Sequence, residues 1–426
     1  MSKPATPVYV LRGHAAPIHA VRFVRRNSRL LTGDADGWLV VWNLASKRPA
    51  AVWRPHSATI LGLDADQDRI ITHGRDSHLR VWQLRPDDEA ALDTVLPVDN
   101  ADVHRKQPWL LHSIPVNTLN FCPFAICRVD NDNNDDDDDD STLVAVPGVL
   151  DGQIAVHGLP SERRFSTVPK TELQTGMVMA LALVPGPQLR LMAGYESGLT
   201  VVFAHDATSG SWTRTYASTP HTQPLLSLCP LPGPPDGPLT YFSSGADDVV
   251  AKHVVSPTLP PASMPKPPSI SKPPPSKPNP PSLLSAALSS SSSHSPSSTS
   301  TPTPNPNPNP VPAGPTAPAQ SVKTKHAGQQ SLAVRSDGRL LATAGWDGRA
   351  RVYSTRTLRE MAVLKWHAEG CYAVGFGDVL DGDERDEDGG QGALAHVRRR
   401  REERVAGVHW VAAGSKDGKV SLWDVY

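Results

Sequence analysis

The sequence predicts an all-β protein: seven four-stranded blades in a ring, closed by the N-terminal strand and interrupted by one long insertion. Three observations predict it. A polar hairpin pattern recurs with a period of about 40 residues, inside the range of about 40 to 45 that a four-stranded propeller blade occupies. Seven copies of that pattern can be traced. The chain is also out of phase at both ends, with a short β-prone run, Pro7 to Leu11, before the first copy and a stop just past the third strand of the last.

The first copy runs from His14 through Thr32 and Asp36 to Trp42, and the second from His56 through Thr72 and Asp76 to Trp82. In each, a tight turn joins two β-prone runs. The chemistry explains the spacing. The Asp carboxylate can accept from the histidine ring, the ring can bond the Thr hydroxyl on the second strand, and that hydroxyl can take the indole N–H from the third. Such a network pins a hairpin register, and each orphaned buried group in it would cost about 1 to 3 kcal/mol. This is the signature of the WD repeat.

Weaker copies follow the same template. His112 opens a third, with Val116 to Phe121 as its first strand, Asp151 in its turn and His157 where Trp belongs. Between them lies the acidic run Asp130 to Asp140, which reads as a solvated insertion. Leu191 to Phe203 forms the fourth copy, with Ser197 at the Asp position. His221, Ser244 and Asp248 mark a fifth that ends at Val254. A proline- and serine-rich stretch comes next and holds about half of the chain's 43 prolines. Polyproline geometry makes no internal hydrogen bonds, so a disordered, extended linker is expected there. His326, Thr343, Asp347 and Tyr353 give the sixth copy, and His367, Asp417 and Trp423 the seventh. The mixed-charge segments Asp378 to Gly392 and Arg398 to Arg404 read as a solvated loop. The resulting division is 1–256 for blades 1 to 5, 257–320 for the linker, and 321–426 for blades 6 and 7. Residues before Leu11 supply the last blade's outer strand, which removes two exposed sheet edges.

Composition agrees with a packed array. The 426 residues exceed what one core of about 250 to 300 residues supports. A net charge of −1 offers no bulk attraction to nucleic acid or anionic membrane. Four cysteines, no Asn-x-Ser/Thr site and no long apolar stretch predict a soluble intracellular protein.

No catalytic, cofactor or metal site is expected. Gly414 to Val420 has three residues between its glycines and Val after the Lys, so it departs from the phosphate-loop pattern. His112, Cys122 and Cys127 have no second ligand pair at zinc spacing. The repeated His, Thr and Asp sets are structural, because one active site would not recur around a ring. What remains is the rim. The residues just before the turn Asp include Arg75 and Trp346, both of interface hot-spot chemistry, and these are the expected partner-binding residues.

The opening Pro7 to His14, the Arg75 to Trp82 hairpin and the run His112-Ser113-Ile114-Pro115-Val116-Asn117-Thr118-Leu119-Asn120-Phe121-Cys122 together resemble the fungal ASTRA-associated WD-repeat family. That resemblance implies a non-catalytic scaffold in the nucleus, within the ASTRA chromatin-remodelling and kinase-maturation assembly. It further implies as partners a phosphatidylinositol-3-kinase-related pseudokinase, RuvB-like AAA+ ATPases and kinase co-chaperones. The alternative is a substrate receptor of a cullin-type ubiquitin ligase, for which Trp82-Gln83-Leu84-Arg85 lacks the docking motif's Asp.

Overall fold

The computed structural model describes residues 5–99, 105–118, 121–129, 142–256, 314–380 and 393–425. The acidic run Asp130 to Asp140 and most of the proline-rich linker lie outside these residues. Seven four-stranded antiparallel sheets form, each a blade. Blade 1 comprises Ile18–Val24, Arg29–Asp34, Leu39–Asn43 and Arg48–Trp53, and the others repeat this meander. In the seventh, Cys371–Phe376, Trp410–Ser415 and Lys419–Asp424 are completed by Tyr9–Arg12, with Leu11 opposite Val420. The ring is closed by its first strand, as the phase of the two ends requires.

The inner strands are buried on both faces because each blade packs against two neighbours. Seven apolar clusters result, and each spans one pair of adjacent blades. The tightest approach is at the turn glycines. Gly37 has φ +85, and a Cβ there would lie 2.1 Å from the His56 carbonyl oxygen of the next blade's entry loop. Glycine alone tolerates both the left-handed backbone and that contact.

Three expectations about element placement are corrected. The linker does not separate blade 5 from blade 6. The third strand of blade 5, Val249–Val255, precedes it and the outer strand, Gln320–Lys323, follows it. The insertion therefore interrupts a blade, and the segment 321–426 carries most of blade 5's outer strand besides blades 6 and 7. An outer strand tolerates this because only one of its edges is paired, so a long connection before it leaves the inner three strands intact.

His112 does not open blade 3. It lies in Trp109–Pro115, the outer strand of blade 2, which follows an excursion containing the 3₁₀ helix Pro86–Ala91. Blade 3 begins instead at Ala125–Arg128. The excursion is held down by Glu89, whose buried carboxylate takes Arg29 Nη2 at 2.9 Å and pairs with Arg25.

The segment containing Arg398 to Arg404 is not a loop but helix α1, Ala393–Ala406. Its Ala, Leu, Arg and Glu residues are strong helix formers. Asn27 in the lower turn of blade 1 fastens this excursion. Its amide donates to the carbonyl oxygens of Asp378, at 2.7 Å, and Ala406, at 3.1 Å, and its oxygen accepts from the Asp378 N–H.

Candidate interaction surface

The face carrying the turns between second and third strands is rigidly built. In blade 1 the Trp42 indole donates to Thr32 Oγ1 at 2.8 Å, Thr32 bonds His14 Nε2 at 2.7 Å, and His14 Nδ1 lies 2.7 Å from Asp34 Oδ2. Since a carboxylate can only accept and an indole only donate, His14 Nδ1–H donates to Asp34 and Thr32 Oγ1 accepts from Trp42. The expected carboxylate was Asp36, and the structure corrects this. Asp36 is exposed, whereas Asp34 is fully buried at the end of the second strand and also accepts the backbone N–H of Asp36 and Trp38.

Blade 2 uses the turn position. His56 bridges Asp76 and Thr72, each at 2.8 Å, and Trp82 donates to Thr72 at 3.0 Å. Gly74 stands where blade 1 has Asp34, and a Cβ there would come within 2.2 Å of the His56 ring. Burial by itself would raise the Asp76 carboxyl, but bonds from His56, Arg80 and Ser57 hold it well below the usual carboxylate range.

The later copies vary the theme. In blade 5 the relay is His253, Ser243, His221 and Asp247, with spacings of 3.0, 2.9 and 2.9 Å, so it lies one residue before the expected Ser244, Asp248 and Val254. In blade 7 His367 reaches Asp417 at 3.3 Å, but its hydroxyl partner is Ser421 on the third strand, which also takes the Trp423 indole. Ser421 sits directly opposite Ala413, the residue at the Thr position, so the hydroxyl has moved across one rung of the sheet. Blade 4 replaces the set with Ala193, Tyr195 and Phe203, all buried. Ala193 and Phe203 leave no side-chain donor to satisfy, whereas the Tyr195 hydroxyl is buried with no hydrogen-bond partner among the described residues.

Blade 6 departs from expectation. His326 sits only 3.6 Å from Asp347, its side chain is 40% exposed, and it does not bond Thr343, whose hydroxyl has no partner among the described residues. Arg351 takes over, with Nη2 at 2.5 Å from Asp347. His326 stands three residues before the first strand of its blade. Lys325 occupies the place, four residues before the first strand, that His14 and His56 hold in their blades.

These networks aim the rim residues. In six blades the N–H of the first turn residue donates to a carbonyl of the same blade's entry: Ala35, Arg75, Glu196, Ala246, Trp346 and Lys416 bond Pro17, Thr59, Met177, Pro224, Gly328 and Gly370. The blade 5 rim residue is thus Ala246, and Asp247 belongs to the network. Trp346 is 45% exposed, stands over the backbone of Gly328, and donates its indole N–H to Gln330 at 2.8 Å. Arg75 is exposed, with its guanidinium 4.3 Å from the Phe121 ring centre. Cys122 and Cys127 are buried in the core between blades 3 and 4, burial pushes the Cys127 thiol up to about 12, and His112 bonds Glu162 at 2.9 Å. On the opposite face a cleft of about 650 Å³ is lined by arginines, but Arg22 pairs with Asp64, and Arg25 and Arg29 with Glu89.

The buried imidazoles give a pH prediction. Burial, reinforced by a neighbouring histidine, holds His73 and His253 near a pKa of about 3, and burial also lowers His56 and His367. Unfolded rings take up protons near 6.5. Their contribution is therefore fully present above about pH 6.5 and is lost as pH falls toward 3. The melting temperature should drop by several degrees between pH 7 and pH 5, and His73→Leu should flatten that slope. A constant melting temperature over this interval would contradict the burial-lowered pKa of these rings.

The WD domain, G-beta repeat family model matches residues 5–43, 319–354 and 395–424. Similarity to whole proteins extends much further. The chain is 44% identical to ASTRA-associated protein 1 of Verticillium alfalfae, over all of this chain and 94% of that one. Identity is 39% with the Penicillium rubens protein of the same name, covering 100% and 98% of the two chains, and 29% with that of Schizosaccharomyces pombe, covering 99% of each. A likeness that spans both chains end to end, including blades that the repeat model does not match, is more than a shared repeat: this chain belongs to the ASTRA-associated protein 1 family.

Proposed function

We propose that the chain is a non-catalytic, nuclear scaffold subunit of an ASTRA assembly, and that it holds a phosphatidylinositol-3-kinase-related pseudokinase, RuvB-like AAA+ ATPases and kinase co-chaperones. The observation that carries this reading is the full-length similarity to proteins named for their association with ASTRA. The His, hydroxyl and Asp groups that could have suggested hydrolysis are consumed in holding turns, which supports a binding role for the face those turns form. Affinity purification of the tagged, full-length protein from nuclear extract, with quantitative mass spectrometry, tests it. Co-purification of the pseudokinase, the ATPases and the co-chaperones is the expected result. Recovery of a cullin adaptor in their place would overturn it.

A further inference from the structure

We infer that the turn face of blades 2 and 3 is a docking site for an extended protein segment that carries a carboxylate beside large apolar side chains. The inference rests on the scaffold reading and specifies the chemistry of what one sector holds.

The turns of the two blades share one face. The connection between the two blades is tied to both turns. Thr118 Oγ1 donates to the Arg75 carbonyl at 3.2 Å and lies 3.1 Å from Ser77 Oγ, while the Asn117 amide donates to the Gly148 carbonyl at 2.6 Å. Phe121, Val149 and Leu150 are presented on this base, and they are 51%, 79% and 63% exposed. Single exposed apolar residues are ordinary, but several beside two adjacent turns mark a surface that a partner covers.

Charge decides the partner. Among the described residues no carboxylate pairs with Arg75, since its neighbour Asp76 is engaged by His56, Arg80 and Ser57. The guanidinium rests on the Phe121 ring, which restrains the side chain before any partner arrives and leaves its planar fork of donors for a carboxylate. Less rotamer entropy is then lost on binding. Asp151, one residue beyond Leu150, bounds the other end with negative charge. The occupant's acidic group therefore lies at the Arg75 end and its apolar groups lie over Val149 and Leu150.

Synthetic peptides and purified full-length protein test this without the assembly. A fluorescein-labelled peptide of alternating glutamate with leucine and phenylalanine should bind, more weakly as salt rises, and should protect residues around 75–77 and 148–151 from hydrogen–deuterium exchange. Arg75→Glu should weaken binding about tenfold or more, as expected for a hot-spot guanidinium, and so should Val149→Ser with Leu150→Ser. Lys416→Glu, at the equivalent rim position of blade 7, should leave binding unchanged. Equal binding of the lysine counterpart, equal binding of an all-glutamate peptide, or indifference to Arg75→Glu would overturn the inference. So would a concentration-dependent dimer abolished by Arg75→Glu, which would assign the patch to a second copy of the chain. Failure here with the ASTRA subunits still recovered would remove this site and leave the scaffold reading standing.

Discussion

A chain lacking residues 1–12 is expected to melt about 5 °C or more below the full-length protein. Among the described residues, Tyr9–Arg12 alone cover the outer edge of the third strand of blade 7, pairing with Lys419 to Leu422. Leu11 is 2% exposed and belongs to the cluster formed with Ile18, Leu30 and Leu422 between the last and first blades. Losing that side chain alone should cost about 2 to 5 kcal/mol, and the freed strand adds an unpaired edge. Because the ring is one closed cooperative array, the loss acts on every blade. Differential scanning calorimetry against a chain lacking only residues 1–5 checks it. Identical transitions for the two truncations would mean that the first strand does not close the ring.

Asp34→Ala should destabilise the protein by about 3 kcal/mol or more, while Asp36→Ala should change stability by less than about 0.5 kcal/mol. Asp34 is fully buried and accepts from three donors, the His14 ring and the N–H groups of Asp36 and Trp38. Its removal leaves those groups unpaired and frees the ring that orders Thr32 and Trp42. Asp36, two residues on, is solvent-exposed. Chemical denaturation of the two variants separates the alternatives, and comparable effects would contradict the assignment of the buried carboxylate.

The patch on blades 2 and 3 is only partly legible in the sequence. Arg75 stood out from its place before the turn Asp. Leu150 holds the same place before Asp151, whereas Phe121 and Val149 gave no signal, because nothing local says that an apolar residue points away from a core. Two hydrogen-bonded connections bring them onto one platform, and both join residues more than 30 positions apart.

The sequence by itself determined the number of blades, the order of strands within most of them and the closure by the first strand. These follow from local information: alternating apolar residues, turn glycines, and the Thr and Trp spacing within one hairpin. Tertiary structure alone decided which of two nearby aspartates meets His14, that blade 7 draws its hydroxyl from Ser421, that His326 gives way to Arg351, and that the insertion falls inside blade 5. In the first three cases more than one residue could reach the same hydrogen-bonding position in space. A relay histidine takes an acceptor and a hydroxyl within about 3 Å, but it does not specify their place along the chain. The outer strands were the least legible elements for a related reason. They pair along one edge only, so their position is fixed by what the third strand leaves open, and a long excursion can precede them without disturbing the pattern from which the rest of the ring was read.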